Sequence, residues 1–354
     1  MQGRILITGG AGFVGANLAV GLAARHPEAE VVALDNLGRR GSELNLPRLR
    51  EAGVTFVHGD VRELGDLLAL DPIDHLVEGS AEPSVMGGVT SGPDYLVRTN
   101  LLGAYHCLEL ARRDGAQMVF LSTSRVYPVR QLLDIRLEET ETRFEIAGGA
   151  QPAGVSPAGI SEALSLQGAR TLYGTTKLSA EHLVEEYAET YGLRTAVTRF
   201  GVIAGPWQMG KVDQGVFTWW MLAHVLNRPL RYIGFGGTGK QVRDLLHVED
   251  VVDLIAEQLE DPERWAGVVA NAGGGRETSL SLRETTALCE ELTGRSGLVE
   301  PSNESRPGDV PVYVSDTSHL AGFTDWRPRR PARQVLEDTF EWIVRHEDAV
   351  RAAL

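Results

Sequence analysis

The chain has 354 residues, of which 43% are hydrophobic and 23% charged, so it is long enough to bury a sizeable core in one large domain or two moderate ones. Its formal net charge of -14 argues against a nucleic acid or an anionic membrane surface as partner, and no apolar stretch approaches the ~18 residues of a transmembrane helix. Its two cysteines, Cys107 and Cys289, provide neither a disulfide framework nor a zinc-binding spacing, so we expect no metal site.

Short apolar runs alternate with helical patterns along most of the chain. The predicted strands span residues 4–8, 30–34, 54–57, 75–78, 118–122, 195–198 and 268–271. The helical patterns between them include one that ends near residue 24 and two at 96–113 and 173–190. Because strands that alternate with helices pair in parallel, the sequence predicts an α/β fold with a doubly wound parallel sheet. The first strand begins at Arg4, which leaves no room for a leader peptide, and we therefore expect a cytoplasmic protein.

A glycine-rich loop, Thr8–Gly15, follows the first predicted strand and opens the first helix. In such a loop one glycine permits the tight turn, one lets a pyrophosphate approach the backbone, and one lets the helix pack on the sheet. The helix N-terminus adds free N–H groups and a partial positive charge. We predict a Rossmann-type dinucleotide site rather than a glycine-rich turn without a ligand. The predicted cofactor contacts in this loop are Gly9, Gly12, Phe13, Val14 and Gly15.

Asp35 closes the second predicted strand, where a carboxylate can accept hydrogen bonds from the adenine ribose. The same carboxylate repels a 2′-phosphate and so favours NAD over NADP, although Arg39 and Arg40 are close enough in sequence to neutralise such a phosphate. Asp60 and Val61 follow the third strand as a polar–apolar pair suited to an adenine edge. The alternative for Asp60 is an ordinary helix N-cap.

Tyr173 and Lys177 are four residues apart in a helical pattern, which places a phenol and an ammonium on the same helix face. A nearby cation favours phenolate, so Tyr173 is a candidate general base beside the cofactor. A hydroxyl at the end of the fifth strand can share the proton, and Thr123 is the preferred candidate over Ser122 and Ser124. The alternative is that these residues are surface neighbours on a helix and strand-end hydroxyls that satisfy the backbone.

The chain divides on these patterns into a Rossmann domain at residues 1–198 and a smaller C-terminal α/β domain at 199–354 that binds the substrate. Residues 241–275 are expected to return to the first domain. The segment 128–170 has poor periodicity and is rich in Gly, Pro and Glu, which is typical of a functional cover over a site.

Several short sequence motifs together resemble those of the extended short-chain dehydrogenase/reductase family of nucleotide-sugar epimerases and dehydratases. These motifs are the loop 8–15, Asp35-Asn-Leu37, the Ser-Thr run before Val126-Tyr127, the Tyr173/Lys177 pair and Gly205-Pro206. Within that family the likeness is greatest to the CDP-paratose 2-epimerases (CDP-tyvelose epimerases). Four stretches carry this finer likeness: Asp35–Gly41, Asp213–Gly215, Gly239–Asp244 and His247–Asp250.

The resemblance implies a role for residues whose function the spacing alone leaves open. It makes Tyr173 the base, Lys177 its partner on the nicotinamide ribose, and Thr123 the hydroxyl donor. It adds Asn36 and Asn100 to the cofactor contacts, and it implies a homodimer. The residues expected to bind the substrate are Glu82, Ser124, Arg125, Gln214, Arg243 and Arg306, with the last two on the diphosphate. Asn100 can equally be a structural asparagine.

The chain departs from the family pattern at three places. The usual histidine-alanine-alanine after the fourth strand is replaced by Gly79–Pro83, which puts Glu82 near the meeting point of cofactor and sugar. The glycine expected after Tyr127 is Pro128, and an asparagine expected before Gly205 is Val202. The last change affects the expected contact to the substrate's nucleotide.

We therefore predict NAD-dependent epimerisation of a nucleotide-diphosphate sugar through a transient ketone, at C2 of CDP-paratose. A UDP-hexose or UDP-hexuronate 4-epimerase is the alternative, and a non-catalytic NAD-sensing protein on the same fold is the alternative of another class. A 4,6-dehydratase is disfavoured because family members with that activity carry an Asp-Glu pair directly after the threonine. Here Ser124 and Arg125 occupy those positions.

Overall fold

The computed structural model describes residues 1–89, 92–210, 214–302 and 304–353. Its strands up to the middle of the chain are β1 (Gly3–Thr8), β2 (Ala29–Asp35), β3 (Thr55–His58), β4 (His75–Glu78), β5 (Gln117–Thr123), β6 (Leu137–Glu139), β7 (Phe144–Ile146), β8 (Val155–Ser156) and β9 (Gly159–Ile160). The later strands are β10 (Thr195–Phe200), β11 (Val202–Ala204), β12 (Leu230–Ile233), β13 (Val242–His247), β14 (Val268–Ala272), β15 (Ser279–Ser281), β16 (Val299–Ser302) and β17 (Val312–Tyr313).

The helices lie mainly between these strands. They are α1 (Phe13–Arg25), α2 (Leu46–Glu51), α3 (Leu64–Leu68), α4 (Asp94–Val97), α5 (Gly103–Asp114), α6 (Val129–Leu133), α7 (Leu172–Tyr191), α8 (Val216–Val225), α9 (Val248–Glu260), α10 (Pro262–Trp265), α11 (Leu282–Thr293), α12 (Ser318–Phe323), α13 (Ala332–Arg345) and α14 (Glu347–Ala353). A π-helical turn at Arg98–Leu102 joins α4 to α5. No helix in these described ranges is both long and apolar enough to cross a membrane.

A seven-stranded sheet forms the centre of the molecule, in the order β14-β10-β5-β4-β1-β2-β3. Every neighbouring pair in this sheet is parallel. The apolar run Ile5–Ile7 of β1 is fully buried, as expected for a strand covered by helices on both faces. The predicted Rossmann-type, doubly wound α/β fold is confirmed.

Two hydrophobic clusters cover the two faces of this sheet. On one face α1 and α9 pack together, with Leu18 and Leu22 against Val251 and Ile255. On the other face α5 and α7 supply residues such as Leu108 and Val184. Both β14 and α9, which come late in the sequence, thus belong to the layers of this central sheet. The predicted domain limits themselves remain a prediction.

The C-terminal residues build a second, smaller α/β layer against the carboxyl ends of the central strands. Strand β13 pairs with β11, β15 and β17. Helices α8, α11 and α13 enclose a third hydrophobic cluster that includes Met221, Leu336 and Ile343. Because β13 leads directly into α9, one continuous stretch of chain connects this small sheet to the central one.

The segment 128–170 is ordered and is attached to the C-terminal layer. It contains α6 and two antiparallel strand pairs, β6–β7 and β8–β9. Phe144 N–H donates to the Lys240 carbonyl at 2.9 Å, and Ile160 N–H donates to the Val314 carbonyl at 2.8 Å. Its strands are only two or three residues long, which is too short for a two-residue alternation to appear in the sequence.

Candidate active site

A cavity of about 780 Å³ opens at the carboxyl ends of the central strands. Its lining includes most of the residues predicted from the sequence: Gly9, Gly12, Phe13, Val14, Gly15, Asp35, Asn36, Asp60, Val61, Glu82, Thr123, Ser124, Arg125, Tyr173, Gln214, Arg243 and Arg306. Two predicted residues, Asn100 and Lys177, are buried and do not belong to this lining. Among the described residues no group of three or more His, Cys, Asp or Glu side chains is placed to hold a metal ion.

The glycine-rich loop forms a tight backbone cradle at one end of the cavity. Gly12 N–H donates to the Gly9 carbonyl at 2.9 Å, and Gly9 has a φ of 66°. A Cβ on Gly15 would lie only 2.1 Å from the Gly9 carbonyl oxygen, so the first turn of α1 can pack here only without a side chain. The N–H groups at the start of α1 face the cavity beside Phe13, which suits a pyrophosphate.

Carboxylates line the wall next to this cradle. Asp35 accepts hydrogen bonds from Leu37 N–H at 2.8 Å and from Ala11 N–H at 3.1 Å. Burial raises the pKa of Asp35, while these backbone N–H groups act in the opposite direction. Asn36 Nδ2 donates to Asp60 Oδ2 at 2.9 Å, so the two residues form one polar edge. This arrangement fits a ribose and an adenine edge, in agreement with a dinucleotide such as NAD.

The two arginines that might have favoured NADP are engaged with the C-terminal layer. Arg39 donates to the side-chain oxygen of Gln214 and to the Met209 carbonyl, the latter at 3.3 Å. Arg40 donates to the Ala352 carbonyl at 2.5 Å. Gln214 therefore lines the cavity and also accepts a hydrogen bond from Arg39. The neighbouring Asp213 of the predicted Asp213–Gly215 stretch lies outside the described residues.

Thr123 and Tyr173 both line the cavity; burial raises the pKa of the Tyr173 phenol, and the Thr123 hydroxyl lowers it. Thr123 ends β5 and accepts a hydrogen bond from Arg125 N–H at 3.2 Å, which starts the 3-10 turn Ser124–Val126. Thr171 caps α7 by accepting from Gly174 N–H at 3.2 Å. A Cβ on Gly174 would lie 2.0 Å from the Arg125 carbonyl oxygen, so the 3-10 turn packs directly on the first turn of α7.

The three hydroxyl candidates at the end of β5, Ser122, Thr123 and Ser124, differ in their contacts. Ser122 lines the cavity too, and its hydroxyl donates to the buried Glu181 carboxylate. Ser124 lines the cavity, beside Thr123. Of the three, Thr123 is the residue whose hydroxyl lowers the pKa of the Tyr173 phenol, against the larger effect of burial, which raises it.

Lys177 has a carboxylate partner that the sequence analysis did not predict. Its Nζ lies 3.3 Å from Glu78 Oε2 and 3.9 Å from the centre of the Phe120 ring. Glu78 and Lys177 are 0% and 1% exposed, so the pair is fully enclosed by the protein. Burial raises the pKa of Glu78, and the Lys177 ammonium opposes that effect. The ammonium that was expected to act on Tyr173 is thus paired with a carboxylate at the end of β4.

Asn100 acts on the cavity wall indirectly. Its Oδ1 accepts from Glu82 N–H at 2.8 Å, and its Nδ2 donates to the Glu82 carbonyl and to Thr176 Oγ1, both at 3.2 Å. These bonds hold the loop after β4 against α7. Asn100 therefore makes the contacts expected of a structural asparagine, whereas Glu82 lines the cavity.

Three arginines from separate parts of the chain, Arg125, Arg243 and Arg306, border the far end of the cavity. Arg243 of β13 contacts Asp309 Oδ1 and the Val310 carbonyl, each at 2.7 Å. Arg125 donates to the Gly308 carbonyl at 3.1 Å, and Arg306 lines the same region. Positive side chains on this wall suit a diphosphate, whose oxygens accept several hydrogen bonds from a guanidinium.

Sequence reasoning missed three residues that shape this site. Asp309 pairs with Arg243, Glu78 pairs with Lys177, and Ser80 lines the cavity directly after β4. Glu78 lies at the end of a buried strand, and an ionised side chain there requires a partner, so the sequence alone could have predicted a charged partner for it. Asp309 lies in a stretch without periodicity, and its partner is distant in the sequence.

Comparison with known proteins agrees with this geometry. The model of the NAD dependent epimerase/dehydratase family matches residues 5–273. The chain belongs to this family. It is 31% identical over 353 residues to the CDP-paratose 2-epimerase of Salmonella typhi, covering 96% of this chain and 98% of that protein. It is also 27% identical to the dTDP-glucose 4,6-dehydratase of Mycobacterium tuberculosis H37Rv, with 96% and 92% of the two chains covered.

Solved structures of this family have the same fold. The NAD complex of the UDP-glucose 4-epimerase of Thermus thermophilus matches with a TM-score of 0.75 at 26% identity, over 99% of this chain and 100% of that one. The dTDP-glucose 4,6-dehydratase DesIV of Streptomyces venezuelae matches with a TM-score of 0.80 at 25% identity, over 99% and 100%. The predictions of an enzyme of the extended nucleotide-sugar epimerase/dehydratase family and of NAD as its cofactor are confirmed.

Proposed function

We propose that this enzyme epimerises a nucleotide-diphosphate sugar through a transient ketone, at C2 of CDP-paratose, to give CDP-tyvelose. The similarity over 98% of the length of the Salmonella typhi CDP-paratose 2-epimerase supports this substrate. The observation that carries the proposal is that Thr123 and Tyr173 both line the cavity that also contains the dinucleotide cradle. A base and a hydroxyl are therefore available at one point for the proton of a sugar hydroxyl.

We assign the cofactor contacts to the residues of the cradle and its neighbouring wall. The backbone of Gly9, Gly12 and Gly15 leaves room for the pyrophosphate, and Asp35 is placed to accept from a ribose. When bound, NAD supplies a hydride acceptor that returns the hydride to the sugar. Because epimerisation uses no net oxidant, the same NAD serves successive turnovers, and tight binding is an advantage.

The protein's own contribution to the reaction is movement of one proton. Tyr173 takes the proton of the sugar hydroxyl as the ketone forms and gives it back when hydride is returned to the opposite face. Thr123 orients the phenol and donates a hydrogen bond to the same sugar oxygen. The family resemblance assigns Lys177 to the nicotinamide ribose, although in this structure Lys177 is paired with Glu78 and does not line the cavity. A ketone must turn over without escaping, which requires a closed site. No residue of the segment 128–170 belongs to the lining of the cavity, so a covering role for this segment remains a prediction.

The remaining cavity residues are assigned to the substrate. Arg243 and Arg306 contact the diphosphate, and Arg125 and Ser124 lie between that end and Tyr173. Glu82 and Gln214 are the polar groups on the wall nearest the cofactor. Val202 also lines the cavity, so the nucleotide meets an apolar side chain there.

The two residues after Thr123 help to judge two other candidate activities. A dehydratase needs an acid and a base in addition to the tyrosine, and the two following positions here carry a serine and an arginine. A UDP-hexose or UDP-hexuronate 4-epimerase needs no further group and is the second candidate. The similarity to a UDP-glucose 4-epimerase supports it. A non-catalytic NAD-sensing protein would have no use for Thr123 and Tyr173 together in the lining of the cavity.

We also propose that the enzyme is a homodimer that associates through the outer faces of α5 and α7. These helices expose aromatic side chains, with Tyr105 36% and Tyr191 53% exposed. Light scattering after size exclusion is expected to give twice the chain mass. Replacement of Tyr191 by Glu should shift the protein towards the monomer, and a wild-type monomer would contradict the proposal.

One experiment tests the activity. Purified enzyme is incubated separately with CDP-paratose, UDP-glucose and UDP-glucuronate, and epimers are followed by NMR. We expect CDP-tyvelose from the first and no product from Tyr173→Phe, which should retain the NAD found by mass analysis after denaturation. A 4-epimer of a UDP-sugar would favour the second candidate, a 4-keto-6-deoxy product would contradict epimerisation, and turnover by Tyr173→Phe would refute the assigned base.

A further inference from the structure

Trp207 has a backbone conformation that is rare for a side chain of its size. Its φ is 72°, in the left-handed region that favours glycine, and it lies three residues after the end of β11. Such a conformation persists only where the surrounding contacts enforce it, and it is concentrated at functional sites. Trp207 also belongs to the lining of the cavity. The contacts of its ring therefore indicate what this strained backbone holds in place.

The Trp207 ring contacts both the C-terminal layer and the elements that follow β2. The ring centres of Trp342 in α13 and of His346, directly after it, are 5.8 Å and 4.7 Å from that of Trp207. Arg48 of α2 places its guanidinium carbon 4.5 Å from the centre of the Trp207 ring, within the range of a cation–π interaction. Trp207 thus connects a late helix of the chain to an arginine behind the dinucleotide site.

Arg48 binds two buried asparagines that hold the glycine-rich loop. Its Nη2 donates to Asn17 Oδ1 at 2.9 Å, and its Nη1 donates to Asn45 Oδ1 at 3.2 Å. Asn17 Nδ2 in turn donates to the Phe13 carbonyl at 2.8 Å, and Asn45 Nδ2 donates to the Ala11 carbonyl at 2.9 Å. The two asparagines are only 3% and 2% exposed. One planar guanidinium therefore fixes two carbonyls of the loop that is suited to the pyrophosphate.

The stretch 206–209 is bonded to the same elements at two further points. Asn17 Nδ2 also donates to the Pro206 carbonyl at 3.3 Å, and Arg39 donates to the Met209 carbonyl at 3.3 Å. Burial lowers the pKa of Arg48 to about 10, so its guanidinium is charged at neutral pH and attracts the face of the Trp207 ring. The residues on either side of Trp207 thus rest on the elements that build the dinucleotide site.

We propose that Arg48 and Trp207 are positioning residues for NAD: Trp207 holds the Arg48 guanidinium in place, and Arg48 holds the glycine-rich loop in the shape that retains the pyrophosphate. The packing of the C-terminal layer thereby controls how long NAD stays bound. This role goes beyond the proposed function and does not depend on which nucleotide sugar the enzyme takes, because neither residue is assigned to the sugar or to the proton transfer.

The test is a double-mutant cycle on the rate at which NAD leaves the purified holoenzyme, measured without sugar as the NAD retained after timed buffer exchange. We expect Trp207→Leu to speed release about 3- to 30-fold, the range of a desolvated cation–π contact, and Trp207→Phe, which keeps a ring, to stay closer to wild type. Arg48→Met should speed release at least about 10-fold. Because Trp207 acts through Arg48, the double variant should release NAD no faster than about twice the rate of Arg48→Met alone.

Arg264→Met is the matched control, since Arg264 lies over the Phe323 ring at 5.0 Å and neither residue belongs to the described lining of the cavity. It should leave NAD release unchanged even where it lowers Tm, which separates a loss of stability from a loss of retention. Unchanged release in Trp207→Leu would overturn the proposal. So would effects that multiply in the double variant, because Trp207 would then act independently of Arg48. Should Arg48→Met fail to fold, Arg48→Lys takes its place in the cycle, since an ammonium lacks the planar fork that binds both asparagines.

Discussion

Arg199 of β10 and Glu181 of α7 form a buried ion pair beneath the reacting centre. Arg199 Nη2 lies 2.7 Å from Glu181 Oε2, and Nε lies 3.1 Å from both carboxylate oxygens, with the two side chains 7% and 6% exposed. Ser122 donates to the same carboxylate, next to Thr123 in sequence. This pair fixes α7, which carries Tyr173, to the strand beside β5.

Removal of either member of this buried ion pair should therefore lower the stability of the fold. We predict that Glu181→Gln lowers the free energy of unfolding by about 3–5 kcal/mol, because it leaves the Arg199 charge buried without a counterion. Urea denaturation followed by circular dichroism measures the change. The control is Glu337→Gln, which breaks an exposed pair with Arg333 and should change stability by less than about 0.5 kcal/mol. Equal effects of the two substitutions would contradict the buried pair's role.

The second prediction concerns the glycine cradle. Gly15→Ala should abolish NAD binding or prevent correct folding, because its Cβ would lie 2.1 Å from the Gly9 carbonyl. A Cβ on Gly65 in α3 would have no atom within 4 Å, so Gly65→Ala should fold and bind NAD normally. Isothermal titration with NAD and thermal melts compare the two variants. Normal NAD affinity in Gly15→Ala would mean that α1 and the loop are packed differently.

The third prediction concerns Arg243 at the far end of the cavity. Arg243→Gln should raise KM for the nucleotide sugar roughly 10- to 100-fold, since a charge-assisted hydrogen bond contributes about 1.5–3 kcal/mol. The kcat should fall much less, because a contact to the diphosphate is made equally in the ground state and in the transition state. Arg351→Gln, on an exposed helix outside the cavity, is the matched control. Steady-state kinetics with unchanged KM would remove Arg243 from the substrate site.

The fourth prediction is a pH dependence of stability. The Arg62 guanidinium lowers the pKa of Asp60 below its ordinary value of about 3.9. A carboxyl whose pKa is lowered in the folded state stabilises the protein above its unfolded-state pKa, and this contribution is lost as the pH falls through that value towards the folded-state pKa.

Asp60→Asn should therefore lower Tm at pH 7, and its difference from wild type should shrink below about pH 4. Calorimetry across pH 3–7 would measure this convergence, with Asp71→Asn, at a carboxylate 80% exposed, as control. A Tm difference that stays constant over the whole range would show that the Arg62 pair is not the cause.

The cofactor half of the site was predictable because its signals are local. The loop 8–15, the strand before it and the helix after it lie in one short stretch, and a buried parallel strand has a recognisable apolar run. Asp35 followed from its place at the end of β2. Long helices were equally clear: the pattern at 173–190 became α7 with one residue added at each end.

The charge pattern around Tyr173 could not be predicted in the same way. Spacing placed Lys177 next to the tyrosine, but it said nothing of Glu78, which is 99 residues away in sequence and adjacent only after the sheet forms. The pairing of Arg243 with Asp309 likewise depends on how the C-terminal layer folds. Short strands in 128–170 gave no periodicity to detect, although the contacts of Phe144 and Ile160 hold that segment in place.

The contact between Arg125 and the Gly308 carbonyl also limits how the protein can be divided. A Cβ on Gly308 would lie 2.6 Å from the Thr171 methyl, so this late stretch of chain closes over the residue that starts the tyrosine helix. A fragment cut at the end of residue 198 would keep the sheet strands that precede the cut and the glycine loop but would leave one side of Tyr173 uncovered. Such a truncated chain would also lack β14 and α9, which extend and cover the central sheet, so dinucleotide capture and sugar turnover alike demand the C-terminal part of the polypeptide.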